Sequence, residues 1–314
     1  MHKLRTGYAY ALAANLSWGF FPIYFKALRP SGPVEILAYR ILGSLVVVAL
    51  LLFLTRSWRR MSTLRHRPRT LVIIGVATAL IALNWGIYIY GVVGGRVVET
   101  ALGYFINPLV AVFFGLLAFG ERLRRWQWVA LGIGAVAVVV LTVDYGRLPW
   151  IALTLAFSFA GYGLVKKRLG LPPTDGLFAE SGMLALPALA YLGWLTARGG
   201  STLGHVSPAH TVLLLLSGVG TAVPLLLFAA AANRIPMTGL GMLQYLTPIL
   251  QLLCGILLYH EPMPPSRLFG FGLVWVGLLV FTWDALRHAH RGASARRPAP
   301  VAEPELASIR SPGR

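Results

Sequence analysis

Apolar residues run almost unbroken through ten stretches of the chain: 7–28, 34–55, 70–93, 98–119, 126–143, 149–166, 176–196, 211–232, 238–259 and 266–286. A helix needs roughly 20 apolar residues to cross ~30 Å of hydrocarbon at 1.5 Å per residue. All ten stretches approach that length, the fifth and sixth being the shortest. Between them lie tight turns rich in Pro, Gly and Arg. The pattern predicts an all-α integral membrane protein with ten transmembrane helices. The opening Met1-His2-Lys3-Leu4-Arg5 leads into the first stretch with no small-residue cleavage site before its end, so it reads as a retained span. Residues 287–314 are rich in Ala, Arg, Ser and Pro without an apolar period, and read as a disordered cytoplasmic tail.

Composition agrees. Of the 314 residues 57% are hydrophobic and 12% charged, and the mean hydropathy is +0.70. Soluble domains carry about 25% charged residues, so a large soluble enzyme is excluded. The net charge of +18, from 28 Lys and Arg against 10 Asp and Glu, raises the question of nucleic acid. Its distribution answers it. With the N-terminus inside, 21 of the basic residues fall on the inner side and six on the outer, while Arg40 lies within a span. That asymmetry is the positive-inside signal, with some contact to anionic lipid, and it predicts that both termini are cytoplasmic. The single cysteine, Cys254, lies in an apolar stretch, so there is neither a disulfide framework nor a cysteine metal site.

The chain repeats itself after about 140 residues. Gly103-Tyr104-Phe105-Ile106-Asn107-Pro108 aligns with Leu243-Gln244-Tyr245-Leu246-Thr247-Pro248, and the spacing from Pro108 to Glu121 equals that from Pro248 to Glu261. Ser17 and Lys26 match Ser158 and Lys167 more weakly. The repeats are 7–143 and 149–286, with five spans each. An odd number of spans means that the halves enter the membrane from opposite sides. Inverted repeats are a recurrent plan of secondary transporters, with the substrate site at mid-membrane where the halves meet.

Several strings carry a further likeness: NLSWGFFPIYFK (15–26), EILAYRILGS (35–44), ETALGYFINPLVAVFFG (99–115), YGRLPWIAL (145–153) and LLLFAAAANRIPMTGLGMLQYLTPILQ (225–251). Over about residues 5–285 the chain resembles the RarD-type permeases, a branch of the EamA-like transporters in the drug/metabolite transporter superfamily. The turn Gly94-Gly95-Arg96 departs from the Asn-Gly-His-like turn of that branch. The resemblance implies ten helices in two five-helix EamA repeats, a multi-pass protein of the bacterial inner membrane, and permease activity by alternating access.

Candidate site residues follow from depth. Asn84, Asn107, Thr221 and Thr247 sit near the middle of their spans, with Tyr104, Gln244 and Gln251 about one turn away. Gln244, Thr247 and Gln251 follow i, i+3, i+7 spacing and share a helix face, matched in the first repeat by Tyr104 and Asn107. Amides and hydroxyls in hydrocarbon are costly without partners, so these faces should point into the bundle. There they either join helices by hydrogen bonds or line a central cavity. Trp18, Trp85 and Tyr88 are deep enough to form its wall, whereas Trp58, Trp126, Trp128, Trp150, Trp194 and Trp283 fall at span ends as belt residues. Pro108 and Pro248 each remove a backbone hydrogen bond beside the polar stripes and are candidate hinges. A pocket of amides, hydroxyls and rings without charge would suit neutral or zwitterionic solutes.

The intramembrane charges are gate candidates. Arg40, near one end of its span, could pair with Glu35 or Glu99; Glu180, at the equivalent place in the second repeat, could pair with Arg234 or Lys167. Glu121 and Glu261 mark helix ends. No carboxylate or histidine lies at mid-depth, which weakens coupling through a central proton relay and leaves facilitated diffusion and proton antiport open. No phosphate-binding glycine loop is present, so ATP hydrolysis is not expected, nor is a cofactor or metal. The expected function is a secondary transporter of small organic solutes, metabolites or drugs, with a small-molecule substrate and lipid as partners and no nucleic acid. A channel-like facilitator with a fixed pore is one competing class. An intramembrane enzyme is the other, and it would need His, Asp or Glu clustered at catalytic spacing within the spans.

Overall fold

In the computed structural model residues 2–56, 68–119 and 123–295 are described, and among them every regular element is helical. The first apolar run forms α1 (His2–Gly19) and α2 (Phe21–Ala27), which part at Phe20. Pro22 causes the break: it has no N–H to donate and its ring would clash with the carbonyl of Trp18. Then follow α3 (Pro33–Leu54), α4 (Pro68–Val93), α5 (Val97–Phe119), α6 (Arg125–Tyr145), α7 (Trp150–Leu169), α8 (Pro173–Ala197) and α9 (Pro208–Ala232). The next run is split again, into α10 (Met237–Gln244), α11 (Leu246–Leu253) and a π-helical turn (Cys254–Leu258). The division at Tyr245 lies three residues before Pro248, which leaves the Gln244 carbonyl without its helical donor. Pro108 sits inside α5 without ending it.

The last helix, α12, spans Pro265–Ala295 and runs past the expected span end at 286. Residues 287–295 contain no proline and are rich in Ala and Arg, both strong helix formers. Glu121, Trp58 and residues 296–314 lie outside the described residues.

Among the described residues, eight helices are long and apolar enough to cross a membrane. They are the stretches 33–54, 68–93, 97–118, 125–145, 173–197, 208–232, 239–258 and 265–287. The expected first and sixth spans are not among them. Lys3 and Arg5 stand in the first turn of α1, and Lys166, Lys167 and Arg168 in the last turn of α7, which shortens the apolar length of each.

Packing joins α5 to α7 and α11, α6 to α12, α3 to α8 and α9, α4 to α7 and α8, and α1 to α9 and α11. The largest apolar cluster lies among α5, α6, α7 and α12, with Phe105 stacked edge-on against Phe271 and Trp275. Trp126, Trp128, Trp150, Trp194 and Trp283 are exposed, as belt residues should be. Small residues bring α3 and α9 together: Gly43 and Gly218 touch backbone to backbone.

Candidate functional site

Arg40 lies seven residues into α3, ~10 Å along the helix axis from its start. Its side chain is inside the bundle, and the residue is 4% exposed. The expected pairing with Glu35 or Glu99 does not form. Arg40 and Glu35 are five residues apart, about 140° around the helix, so they point to different neighbours. Arg40 Nε donates instead to Thr221 Oγ1 of α9 at 2.7 Å. The guanidinium carbon sits 4.3 Å from the ring centre of Trp85 on α4, and 5.5 and 5.6 Å from Phe25 and Phe21 on α2. Arg40 Nη1 is buried and has no hydrogen-bond partner. A buried cation therefore stands against Trp85, one of the predicted cavity residues.

Asn84, adjacent to Trp85, is fully buried and fixed. Its amide donates to the Leu155 carbonyl and to Ser158 Oγ of α7, both at 3.0 Å, and its oxygen accepts from Tyr104 of α5 at 3.3 Å. Rings continue from there. Phe21, Phe25, Tyr88, Tyr104, Phe159 and Tyr162 follow one another with successive centroids 5.3–6.3 Å apart. This aromatic ladder passes Arg40 at one end and stops at Glu180 at the other, where the Tyr162 hydroxyl donates to Oε2 at 3.0 Å. The Tyr88 hydroxyl is also buried and unpartnered, on a ring 5.9 Å from that of Phe25, which Arg40 faces.

The polar stripe of the second repeat lies elsewhere. Thr247 donates to the Asn15 side chain at 3.0 Å, and Gln251 donates to the Trp18 carbonyl at 3.1 Å, so both join α11 to α1. Gln244 ends α10 and is exposed; the break at Tyr245 separates it from the face that carries Thr247 and Gln251. Asn107 is half-buried on α5, with its side-chain oxygen unpartnered. Of the predicted cavity residues, Trp85 thus meets Arg40, and Asn84 bonds Tyr104, which packs on Tyr88, whereas Thr247 and Gln251 bond helix to helix. Two surface hollows, one at residues 204–212 and one between Tyr10 and Arg234, include none of them.

The remaining gate candidates are engaged near the helix ends. Glu35 accepts from the backbone N–H of Thr202 at 2.8 Å and from its hydroxyl at 3.0 Å, which holds the loop after α8 against α3. Glu99 takes a forked pair of hydrogen bonds from Arg147, 2.6 and 3.2 Å, and one from the Ile151 N–H at the start of α7. That carboxylate raises the Arg147 pKa, chiefly through the hydrogen bond. Glu180 is paired with Lys166 at 2.8 Å and not with Arg234 or Lys167. Lys166 follows Tyr162 by one turn and shares its face, whereas Lys167 is rotated away by about 100°. Glu261 accepts from the N–H groups of Val97 and Val98, both at 2.8 Å, and so caps α5 from across the bundle.

A polytopic helical bundle with a polar and aromatic interior narrows the class, and sequence comparison decides it. The profile of the EamA-like transporter family matches twice, over residues 5–143 and 148–283. The chain belongs to the EamA-like transporter family. Protein RarD of Streptomyces exfoliatus is 50% identical over 290 residues, covering 92% of each chain. The uncharacterized transporter YojE of Bacillus subtilis is 41% identical over 91% of this chain and 96% of its own length. Protein RarD of Escherichia coli is 37% identical over 90% and 96%. A solved crystal structure at 18% identity and TM-score 0.55 covers 87% of this chain and 96% of that one, a likeness of fold. This EamA member is a RarD-type membrane transporter, as the family description and the name of the YojE relative indicate.

Sequence reasoning missed the rings of Phe21 and Phe25 beside Arg40, and the Tyr162–Lys166 pair that holds Glu180. The i, i+4 spacing of Phe21 and Phe25, and of Tyr162 and Lys166, was the available signal.

Proposed function

We propose that this chain is a secondary permease of the bacterial inner membrane, carrying small organic solutes by alternating access between two inverted five-span repeats, 7–143 and 149–286. In this reading α1 with α2, and α7, also cross the bilayer and bring the spans to ten. Both termini are then cytoplasmic, and α12 leads into a cytoplasmic tail. One observation carries the reading. Exchanging the halves, α1–α2 for α7, α3 for α8, α4 for α9, α5 for α10–α11 and α6 for α12, maps the helix pairings named above onto one another. For example, α5 against α7 becomes α11 against α1, and α3 against α9 becomes α8 against α4. A pseudo-twofold arrangement of this kind offers two equivalent states, open to opposite sides, around a site at the repeat interface.

The substrate site in this reading lies among Arg40, Asn84, Trp85, Tyr88, Tyr104 and Asn107. Glu35, Glu99 and Glu180 hold its ends, and Pro108 and Pro248 lend flexibility where the repeats meet. Transport is tested with the full chain in proteoliposomes preloaded with a metabolite mixture, scoring exchange by mass spectrometry against empty vesicles. Solute exchange that Tyr104→Ala and Asn107→Ala reduce, at equal reconstitution, supports the reading. Exchange unaffected by both variants removes the site. Reporter fusions at both ends test the topology, and a periplasmic signal from either end refutes ten spans.

A further inference from the structure

Among the described residues, Arg40 is a buried cation with no acid beside it. Of the ten acids, Glu121, Glu303 and Glu305 lie outside the described residues. The other seven are engaged away from Arg40. Glu35 is held by Thr202, Glu99 by Arg147, Asp144 by Arg267 and Asp175 by Thr174. Glu180 is held by Lys166, Glu261 by the α5 N-terminus, and Asp284 by Arg124. Among the described residues no carboxylate therefore faces Arg40.

A guanidinium buried in a membrane protein costs several kcal/mol unless it is paired. The Thr221 hydroxyl and the Trp85 ring offset only part of this, because a desolvated cation–π contact is worth ~2 kcal/mol. Two buried donors remain idle in the same shell, Arg40 Nη1 and the Tyr88 hydroxyl. A guanidinium also cannot shed its charge by deprotonation. The group that completes this site must bring a negative charge and oxygen acceptors.

We infer that Arg40 is the anion-binding residue of the transport site, and that the substrate is an organic monoanion whose carboxylate meets Arg40 Nη1 and the Tyr88 hydroxyl while its apolar body lies along the aromatic ladder. The inference rests on the reading of this pocket as the substrate site and adds the chemical class. One charge is required and no more. Among the described residues no second cation reaches the cluster: Lys26 sits against Glu261 and Tyr259, and Lys166 is neutralised by Glu180. A phosphate dianion would retain an uncompensated charge in a low-dielectric interior. The rings of Phe25, Trp85, Tyr88 and Tyr104 favour a flat or apolar body over a strongly hydrated one.

The test uses purified full-length protein in detergent and a panel of aliphatic and aromatic monocarboxylates, each matched with its primary amide and its amine. Thermal stabilisation is followed by titration of every compound that stabilises. Stabilisation by carboxylates and not by their amides or amines is expected. Arg40→Gln should weaken that binding about tenfold to a hundredfold, the loss of a hydrogen bond to a charged group. Arg40→Lys, which keeps the charge, should recover part of it. If Arg40→Gln does not fold, the carboxylate-against-amide comparison in the wild type and the Arg40→Lys titration decide alone. Equal binding of amides that Tyr104→Ala abolishes overturns the anion assignment and leaves the site. Carboxylate binding untouched by both Arg40→Gln and Tyr104→Ala overturns both. An absence of stabilisation by every carboxylate overturns the anion assignment, while the exchange assay above judges the site.

Discussion

Arg40 of α3 and Thr221 of α9 are joined by a directed hydrogen bond. The Thr221 hydroxyl donates its proton to the Ser217 carbonyl at 3.0 Å and so turns a lone pair toward Arg40 Nε at 2.7 Å. The contact spans the two matches of the family profile, since one residue lies in each. It fixes the guanidinium against the Trp85 ring, with Nη1 buried and unpartnered.

Thr221→Val keeps shape and volume but removes the acceptor. The buried Nε–H is then unsatisfied, at a cost of about 1–3 kcal/mol. The melting temperature in detergent should fall, and Thr221→Ser, which retains the hydroxyl, should restore most of the difference. Equal melting of the valine and wild-type proteins would mean that the guanidinium has moved to other acceptors.

Glu261 offers a second test. Its two oxygens accept from consecutive N–H groups at the start of α5, where the helix dipole favours a negative charge. Glu261→Ala leaves both donors without that partner and should cost about 1–2 kcal/mol, the range for lost N-terminal caps. Amide hydrogen exchange should rise at Val97 and Val98 before it rises elsewhere in α5. Uniform exchange through the helix would show that the cap contributes nothing local.

The apolar runs announced the helices because hydropathy is a property of single segments. Asn84 and Tyr104 were legible as inward-facing for the same reason: a polar side chain deep in a span has to turn toward protein. What the sequence concealed was pairing. Arg40 was expected at a mouth beside Glu35 or Glu99, and its real neighbours come from α2, α4 and α9, as set by packing between distant segments. Gln244 was aligned with Thr247 and Gln251 on the assumption of one continuous helix. The break at Tyr245 invalidates that spacing, and Pro248 was its visible warning.

The Glu99–Arg147 pair yields a third prediction through its asymmetry. Glu99 is 2% exposed, whereas the Arg147 side chain is 38% exposed. Removing the arginine leaves a buried carboxylate with only the Ile151 N–H, so Arg147→Ala should be clearly destabilising. Adding Glu99→Gln to Arg147→Ala should recover stability, because no buried charge then remains. Thermal melting of the two single variants and the double variant completes the cycle, and additive losses would show that the pair does not couple.

The crossing of α3 and α9 yields the last prediction, since it also sets where Arg40 and Thr221 meet. A Cβ added at Gly218 would come within 2.1 Å of the Gly43 carbonyl carbon and 2.3 Å of the Ser44 nitrogen, both backbone atoms that cannot rotate aside. Gly218→Ala therefore has to separate the helices. Overpacking of this kind costs about 1–3 kcal/mol, and Thr221, one turn along α9, moves with the backbone. Gly220 lies two residues away with nothing within 4 Å of an added Cβ. Gly220→Ala should be neutral or slightly stabilising, as alanine is the better helix former by ~1 kcal/mol. Gly218→Ala should lower the melting temperature and weaken carboxylate binding together, whereas Gly220→Ala should change neither adversely. If Gly218→Ala melts early but binds carboxylates normally, the α3–α9 contact supports the fold without setting the position of Arg40.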